Sequence, residues 1–416
     1  MQTEIPVHEA LRIVRQHAKP IAETERVPLA AARGRVLAED LAALCDHPDV
    51  ANTAVDGYAV RATDTEGASR ENPAVLRLVG ESPAGRPFSG ALGPGEAVAV
   101  YTGSPLPEGA DAVVAVEDTR REGERVLVFK PASAKDIRPR GDDFKKGEVL
   151  LKKGDLLTPG RIGLAAAMGY AELPVVRRPR VGILSTGDEV VAPGEPLPHG
   201  GVYDSNSYAV AALVEAAGGE PVILGRARDA IPELKDQLAA AGELDLLLTS
   251  GGVSMGEYDL VRRLLEEEGE IYFWKILQRP GHPPIFGRYR DTLVFGLPGN
   301  PVSAMVVFFL YGRPMLFAML GRTDPPYRRI RVRTEDFFKG AKGKVAFRRA
   351  ALFYRPDGGF VAKSAGNQSS GAIRTMATGH ALVAVPPDRN LNPGDEAWAI
   401  PFDPEALGAP GLPEQF

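Results

Sequence analysis

Three short strings hold the residues best suited to gripping a phosphate: Ser185-Thr-Gly-Asp-Glu189, Thr249-Ser-Gly-Gly-Val-Ser254 and Gly296-Leu-Pro-Gly-Asn-Pro301. Glycine lets backbone N–H groups come close to an anion, and the start of a helix adds its dipole. The candidate contacts are Thr186, Gly187, Ser250, Gly251, Gly252, Ser254, Pro298, Gly299, Asn300, Pro301 and Ser303. One such string reads as a plain strand-to-helix turn. Three on one sheet edge read as a binding site. Acidic residues accompany them: Asp188, Glu189, Asp229 and Asp259. Carboxylates beside phosphate loops suit Mg²⁺, although Asp229, just before a helix, also fits an N-cap. Basic partners come from Trp274-Lys-Ile-Leu-Gln-Arg-Pro-Gly-His-Pro283, where Lys275, Arg279 and His282 surround a Pro-Gly turn. That grouping suits an oxyanion pocket.

These strings need strands and helices to bring them together. Over 180–322 the pattern alternates: strands at 180–184, 221–224, 244–248, near 271–275 and at 293–295, with helices at 205–217, 231–240, 258–267 and 301–320. Such alternation predicts a mostly parallel sheet with helices on both faces, whose ligands sit beyond the carboxyl ends of its strands. Pro301 suits the first helical position. Upstream, helices are expected over 6–18 and 34–44, then short β-prone runs at 75–79, 97–101, 112–116 and 125–129. A further helix is expected over 161–168, and β runs return at 330–332, 345–354, 381–385 and 397–400. The expected organisation is a discontinuous N-terminal helical and linker domain (1–45 and 146–178), a β module inserted at 46–145, an α/β domain at 179–325 and a C-terminal β domain at 326–416. The fold class is thus multidomain α/β plus β, with a doubly wound centre.

Composition narrows the function. The 416 residues carry a net charge of −5, which speaks against a nucleic-acid partner. Gly 46 and Pro 36 exceed usual levels, with no repeat to make them collagen-like. The lone cysteine, Cys45, rules out a disulfide scaffold or dithiol pair. His8, His17, His47, His199, His282 and His380 never fall at zinc-site spacing. The longest apolar run, at 304–311, is short of a membrane span. The polar start does not resemble a signal peptide. A cytoplasmic protein is expected. There is no Walker motif, no dinucleotide fingerprint and no Ser-His-Asp order.

Three more strings lie in the β module: Asp56-Gly-Tyr-Ala, Thr102-Gly and Gly141-Asp-Asp143. Each alone reads as a turn or charged linker. With the strand-end strings and Gly296-Leu-Pro-Gly-Asn-Pro-Val-Ser303, they resemble the molybdopterin molybdenumtransferase family, the molybdenum insertases that include the gephyrin E domain. The likeness runs from Pro48 to the Gly394-Asp-Glu turn. Ser-Gly-Gly-Val-Ser by itself is shared with the adenylyltransferase relatives of the central domain. The resemblance implies a four-domain homodimer with a central molybdopterin-binding α/β domain. The implied reaction inserts molybdenum from molybdate into adenylated molybdopterin and releases AMP, assisted by Mg²⁺. It implies a cleft between the central domain of one subunit and the β module of the other. Asp56, Asp143, Asp188, Glu189, Asp229 and Asp259 would then be catalytic, with Glu189, Asp229 and Asp259 as Mg²⁺ ligands. Thr102 and the three loops would hold the pterin phosphate and adenylate; Lys275, Arg279, His282 and Ser303 would hold molybdate. Handover contacts with the adenylyltransferase and with molybdoenzyme apoproteins are also implied. The chain departs from the family pattern at Val55, at Asn52-Thr53, and at Arg279 and His282, where Lys and another basic residue are usual. Rival readings are the adenylyltransferase, the nicotinamide-nucleotide amidase group and a non-catalytic dimeric scaffold. The β module and the C-terminal β domain argue against the first two.

Overall fold

The computed structural model describes residues 2–227, 231–251, 260–355 and 359–402. Its centre is a seven-stranded sheet: β1 (Gln2–Ile5), β2 (Arg180–Thr186), β3 (Glu220–Ala227), β4 (Leu246–Ser250), β5 (Gly269–Ile276), β6 (Ile285–Tyr289) and β7 (Thr292–Leu297). The spatial order is β1-β5-β6-β7-β4-β2-β3. Only β6 runs against its neighbours. The expected parallel sheet therefore carries one reversed strand, entered through the Pro280–Pro284 turn.

Alternate side chains feed two cores. Val181, Ile183, Leu246, Leu248, Phe295 and Leu297 pack with α1 (Val7–His17), α2 (Asn206–Ala216) and α5 (Pro301–Met319). Leu184, Leu247 and Val294 pack on the other face against α4 (Leu260–Glu268), with α3 (Ile231–Ala241) beside it. Strands buried on both faces read as unbroken apolar runs, which is why they are legible. α5 is long and apolar enough to cross a membrane, contrary to the expectation from its shorter uninterrupted run, and 83% of its most apolar window is buried in the protein. Its middle, Phe308–Gly312, widens to a π turn ahead of Pro314, which has no N–H to donate.

The first strand and helix join this sheet: β1 pairs in parallel with β5, and Ala10, Ile13 and Val14 enter its core. No helix forms over 34–44. Val36 and Leu37 instead make bridges to Leu156 and Val175, and Leu41–Ala42 pairs with Val149–Leu151. Leu37 and Leu41 are buried in a core shared with Leu151, Leu157 and Val175. Long-range burial overrides a local helical pattern here. Thr24–Pro28 pairs with Glu172–Val176, a second unexpected strand pair.

The β module is a six-stranded sheet from Gly57–Val60 to Arg125–Val128, with a core on each face. The C-terminal sheet contains Ile330–Thr334, Val345–Arg355, Gly359–Ser364, Ala381–Val385 and Glu396–Pro401. Its sixth strand is Gln278–Arg279, which pairs in parallel with Val345 and Ala346. The Pro-Gly turn is thereby stitched to the C-terminal domain.

Candidate active site

The strand register assembles the three loops. Trp274, Ile285, Gly296, Thr249 and Leu184 lie in one row across the sheet. The next residues, Ser185, Ser250 and Leu297, are therefore neighbours at the carboxyl edge. Gly251 N–H donates to the Leu297 carbonyl at 3.2 Å, and Thr186 Oγ1 donates to the Ser250 carbonyl at 3.3 Å. Gly251 sits at φ +92°, and a Cβ there would come within 2.7 Å of Thr186 Oγ1. A Cβ on Gly299 would lie 3.5 Å from Gly251 Cα, so the second and third loops touch. Asn300 occupies the N-cap position of α5 without a side-chain cap bond, and Pro301 takes its first position, as the spacing predicts. Ser303 is buried in that first turn.

The first loop is more open. Asp188 and Glu189 are exposed, and the Glu189 carboxylate folds back over Gly187. Asp229, Gly252, Ser254 and Asp259 lie outside the described residues. Of the three expected Mg²⁺ ligands only Glu189 is described, and no group of three metal-ligating side chains gathers among the described residues.

The basic side is built across two sheets. β5 ends on the same edge as β4 and β7, and Lys275 is its next-to-last residue, with φ +66°. Strand residues normally alternate faces. The left-handed Lys275 breaks that rhythm, so Phe273 and Ile276 both enter one core while the Lys275 ammonium lies 3.9 Å over the Trp274 ring. A non-glycine residue held there is strained, a feature concentrated at functional sites. Arg279 is exposed and close enough to lower the pKa of Lys344 and Arg348, in each case after burial, the larger cause. Lys275 also lowers Lys344. Lys275 and Arg279 thus act on Lys344, with Glu4 opposing them, and Arg279 acts on Arg348; an anion would relieve the cations.

Beside them Arg349 is fully buried. Its Nε donates to Thr375 Oγ1, and its Nη2 donates to the Asn367 and Ser369 carbonyls. Nη1 has no partner among the described residues. Burial, and then neighbouring Arg348, lower its pKa to about 10. The loop that wraps Arg349 also reaches α5, where Val302 N–H donates to the Ser370 carbonyl at 3.1 Å. His282 is placed differently. Its Nδ1 donates to the Ile276 carbonyl at 2.8 Å and its Nε2 faces Glu4 at 3.5 Å, so the ring organises the turn.

A second group sits on the β module. Asp56 Oδ1 accepts from Thr102 N–H at 2.7 Å and from Thr102 Oγ1 at 2.8 Å. The Thr102 backbone donor, then its hydroxyl, hold the Asp56 carboxyl below its usual range. Asp143 is exposed on the adjoining loop, its N–H donated to the His47 carbonyl.

Residues 5–169 match the MoeA N-terminal region (domain I and II), 182–318 a probable molybdopterin binding domain, and 331–402 the MoeA C-terminal region (domain IV). Molybdopterin molybdenumtransferase 2 of Mycobacterium tuberculosis strain H37Rv is 39% identical over 396 residues, spanning 91% of this chain and 96% of that one. The chain belongs to the molybdopterin molybdenumtransferase family. The Haemophilus influenzae molybdopterin molybdenumtransferase is 36% identical over 388 residues, covering 92% of this chain and 94% of its own. A crystal structure of the molybdopterin biosynthesis moeA protein of Pyrococcus horikoshii OT3 superposes with a TM-score of 0.82 at 31% identity, covering 96% of this chain and all of that one. This molybdenumtransferase-family chain is a transferase of molybdenum cofactor biosynthesis.

Sequence reading of this family member missed Asn206, Lys344, Arg348 and Arg349. Arg348-Arg349 within an apolar strand pattern was a visible signal, since buried arginine is rare without a partner. Asn206 looked like an ordinary residue at a helix start.

Proposed function

We propose that the protein inserts molybdenum from molybdate into adenylated molybdopterin and releases AMP, in the cytoplasm and as a homodimer. The observation that carries this reading is the meeting of the Ser250–Gly251 and Gly299 loops at the carboxyl edge of the sheet whose β5 brings Lys275, with Arg279, against Lys344. The loops offer N–H and hydroxyl groups at a strand edge, suited to a pterin phosphate and adenylate. The cations neutralise a dianion such as molybdate brought against those phosphates. Asp56, Thr102 and Asp143 would come from the second subunit's β module, with Asp188 and Glu189 supplying carboxylates from the first loop. Mg²⁺ assistance belongs to the same reading and requires Asp229 and Asp259 beside Glu189. Receipt of substrate from an adenylyltransferase and delivery to molybdoenzyme apoproteins follow from the same chemistry.

The test combines purified protein with adenylated molybdopterin, molybdate and Mg²⁺, following AMP release and molybdenum cofactor formation. Both products are expected. Adenylate that stays bound and intact would overturn the assignment.

A further inference from the structure

Asn206 opens α2 but does not cap it. That task falls to Asp204, whose carboxylate accepts from Ser207 N–H at 3.0 Å and from Ser207 Oγ at 2.7 Å. The Asn206 side chain, on a residue only 9% exposed, instead crosses to the loop cluster. Its Nδ2 donates to Ser250 Oγ at 2.6 Å and to the Gly299 carbonyl at 2.7 Å. A carbonyl can only accept, so Gly299 determines which end of the amide carries the protons. Ser250 Oγ therefore accepts from Asn206, and its own proton is left to donate elsewhere. Asn206 Oδ1 is buried with no partner among the described residues. Such an orphaned acceptor calls for an explanation, and a donor on a bound molecule supplies one.

We propose that Asn206 is a positioning residue of this site: its amide turns the Ser250 hydroxyl into a donor toward the substrate phosphates and ties the third loop to the second. The inference rests on the insertase reading above, since it names a phosphate-bearing substrate. Two bonds at 2.6 and 2.7 Å to two different loops make the amide a clamp rather than a helix cap. Asparagine is suited to the task because it brings two N–H donors and no charge. A carboxylate there would repel the Gly299 carbonyl, draw the Ser250 proton to itself and oppose an incoming phosphate.

The experiment is anaerobic equilibrium dialysis of adenylated molybdopterin against the full-length protein, without turnover. It uses wild type, Asn206→Asp, Asn206→Ala, Ser250→Ala and the Asn206→Ala/Ser250→Ala double variant. Asn206→Asp should weaken binding about tenfold or more, as expected for losing a donor that serves a charged ligand. Asn206→Ala should cost several-fold less in the Ser250→Ala background than in wild type, because the two act as one unit. Additivity would show that Asn206 does not act through Ser250 and would overturn the inference; so would wild-type affinity in Asn206→Asp. If Asn206→Ala does not fold, Asn206→Ser replaces it in the cycle. Failure of the wild type itself to bind would instead strike the insertase reading.

Discussion

The loop cluster belongs to the central sheet and the cation cluster spans that sheet and the C-terminal one, and the two are made in opposite ways. The cluster holds its described groups by neutral hydrogen bonds among Thr186, Asn206, Ser250, Gly251, Leu297 and Gly299. The other region sets Lys275 and Arg279 against Lys344, Arg279 against Arg348 and Arg348 against Arg349, with burial first and then this repulsion lowering the last three. Shape is built in one, and charge is stored in the other. A neutral cradle tolerates changes of salt and pH but not of backbone geometry. A charged pocket tolerates small shifts in shape but depends on its ionic surroundings.

The largest expected effect tests the cradle. Gly251→Ala must place a Cβ 2.7 Å from Thr186 Oγ1 at φ +92°. Activity should fall at least about a hundredfold and stability by about 1–3 kcal/mol, measured by AMP release and thermal unfolding. Near-wild-type turnover would show that the second loop is not held as described.

Arg349→Ala comes next. It removes the buried guanidinium and leaves the carbonyls of Asn367 and Ser369 without their donor. The KM for molybdate should rise about ten- to a hundredfold, while the affinity for adenylated molybdopterin changes much less. Equal losses for both substrates would erase the division between the two regions.

Salt sharpens the same division. Raising ionic strength from about 0.05 to 0.5 M should weaken molybdate binding several-fold and adenylated molybdopterin binding less. Calorimetric titration of each ligand reads this directly.

The mildest effect concerns the β module. Thr102→Val keeps the backbone donor to Asp56 and removes the hydroxyl, so the Asp56 pKa should rise. A carboxyl held low is ionised above its pKa and loses its charge as pH falls through it. If the ionised form is needed, the acid limb of the pH–rate profile should move to higher pH in Thr102→Val. An unmoved limb would remove Asp56 ionisation from the rate.

The strand-end strings were legible because their signal is local: an apolar run, then Gly, Ser and Pro, then a helix. Lys275 and Arg279 were legible for the same reason, as they flank one Pro-Gly turn. His282 was legible as a residue of that turn, but its bond to Ile276 could be seen only in the fold. Arg349 stands apart because its significance depends on a loop at 367–370 and a helix start at 302, both distant in sequence. Residues 34–44 show the converse: a local helical rhythm gave way to bridges with Leu156 and Val175.

The sequence by itself determined the alternating centre, the β module, the C-terminal β domain and the three loops, since each follows from nearest-neighbour periodicity and turn chemistry. Only the tertiary structure decided that β1 joins the central sheet, that β6 runs backwards, that Asn206 reaches the loop cluster, and that Arg349 is buried under the 367–370 loop. Those outcomes turn on which distant groups satisfy buried polar atoms and apolar faces, a choice made by packing that no short window of residues contains.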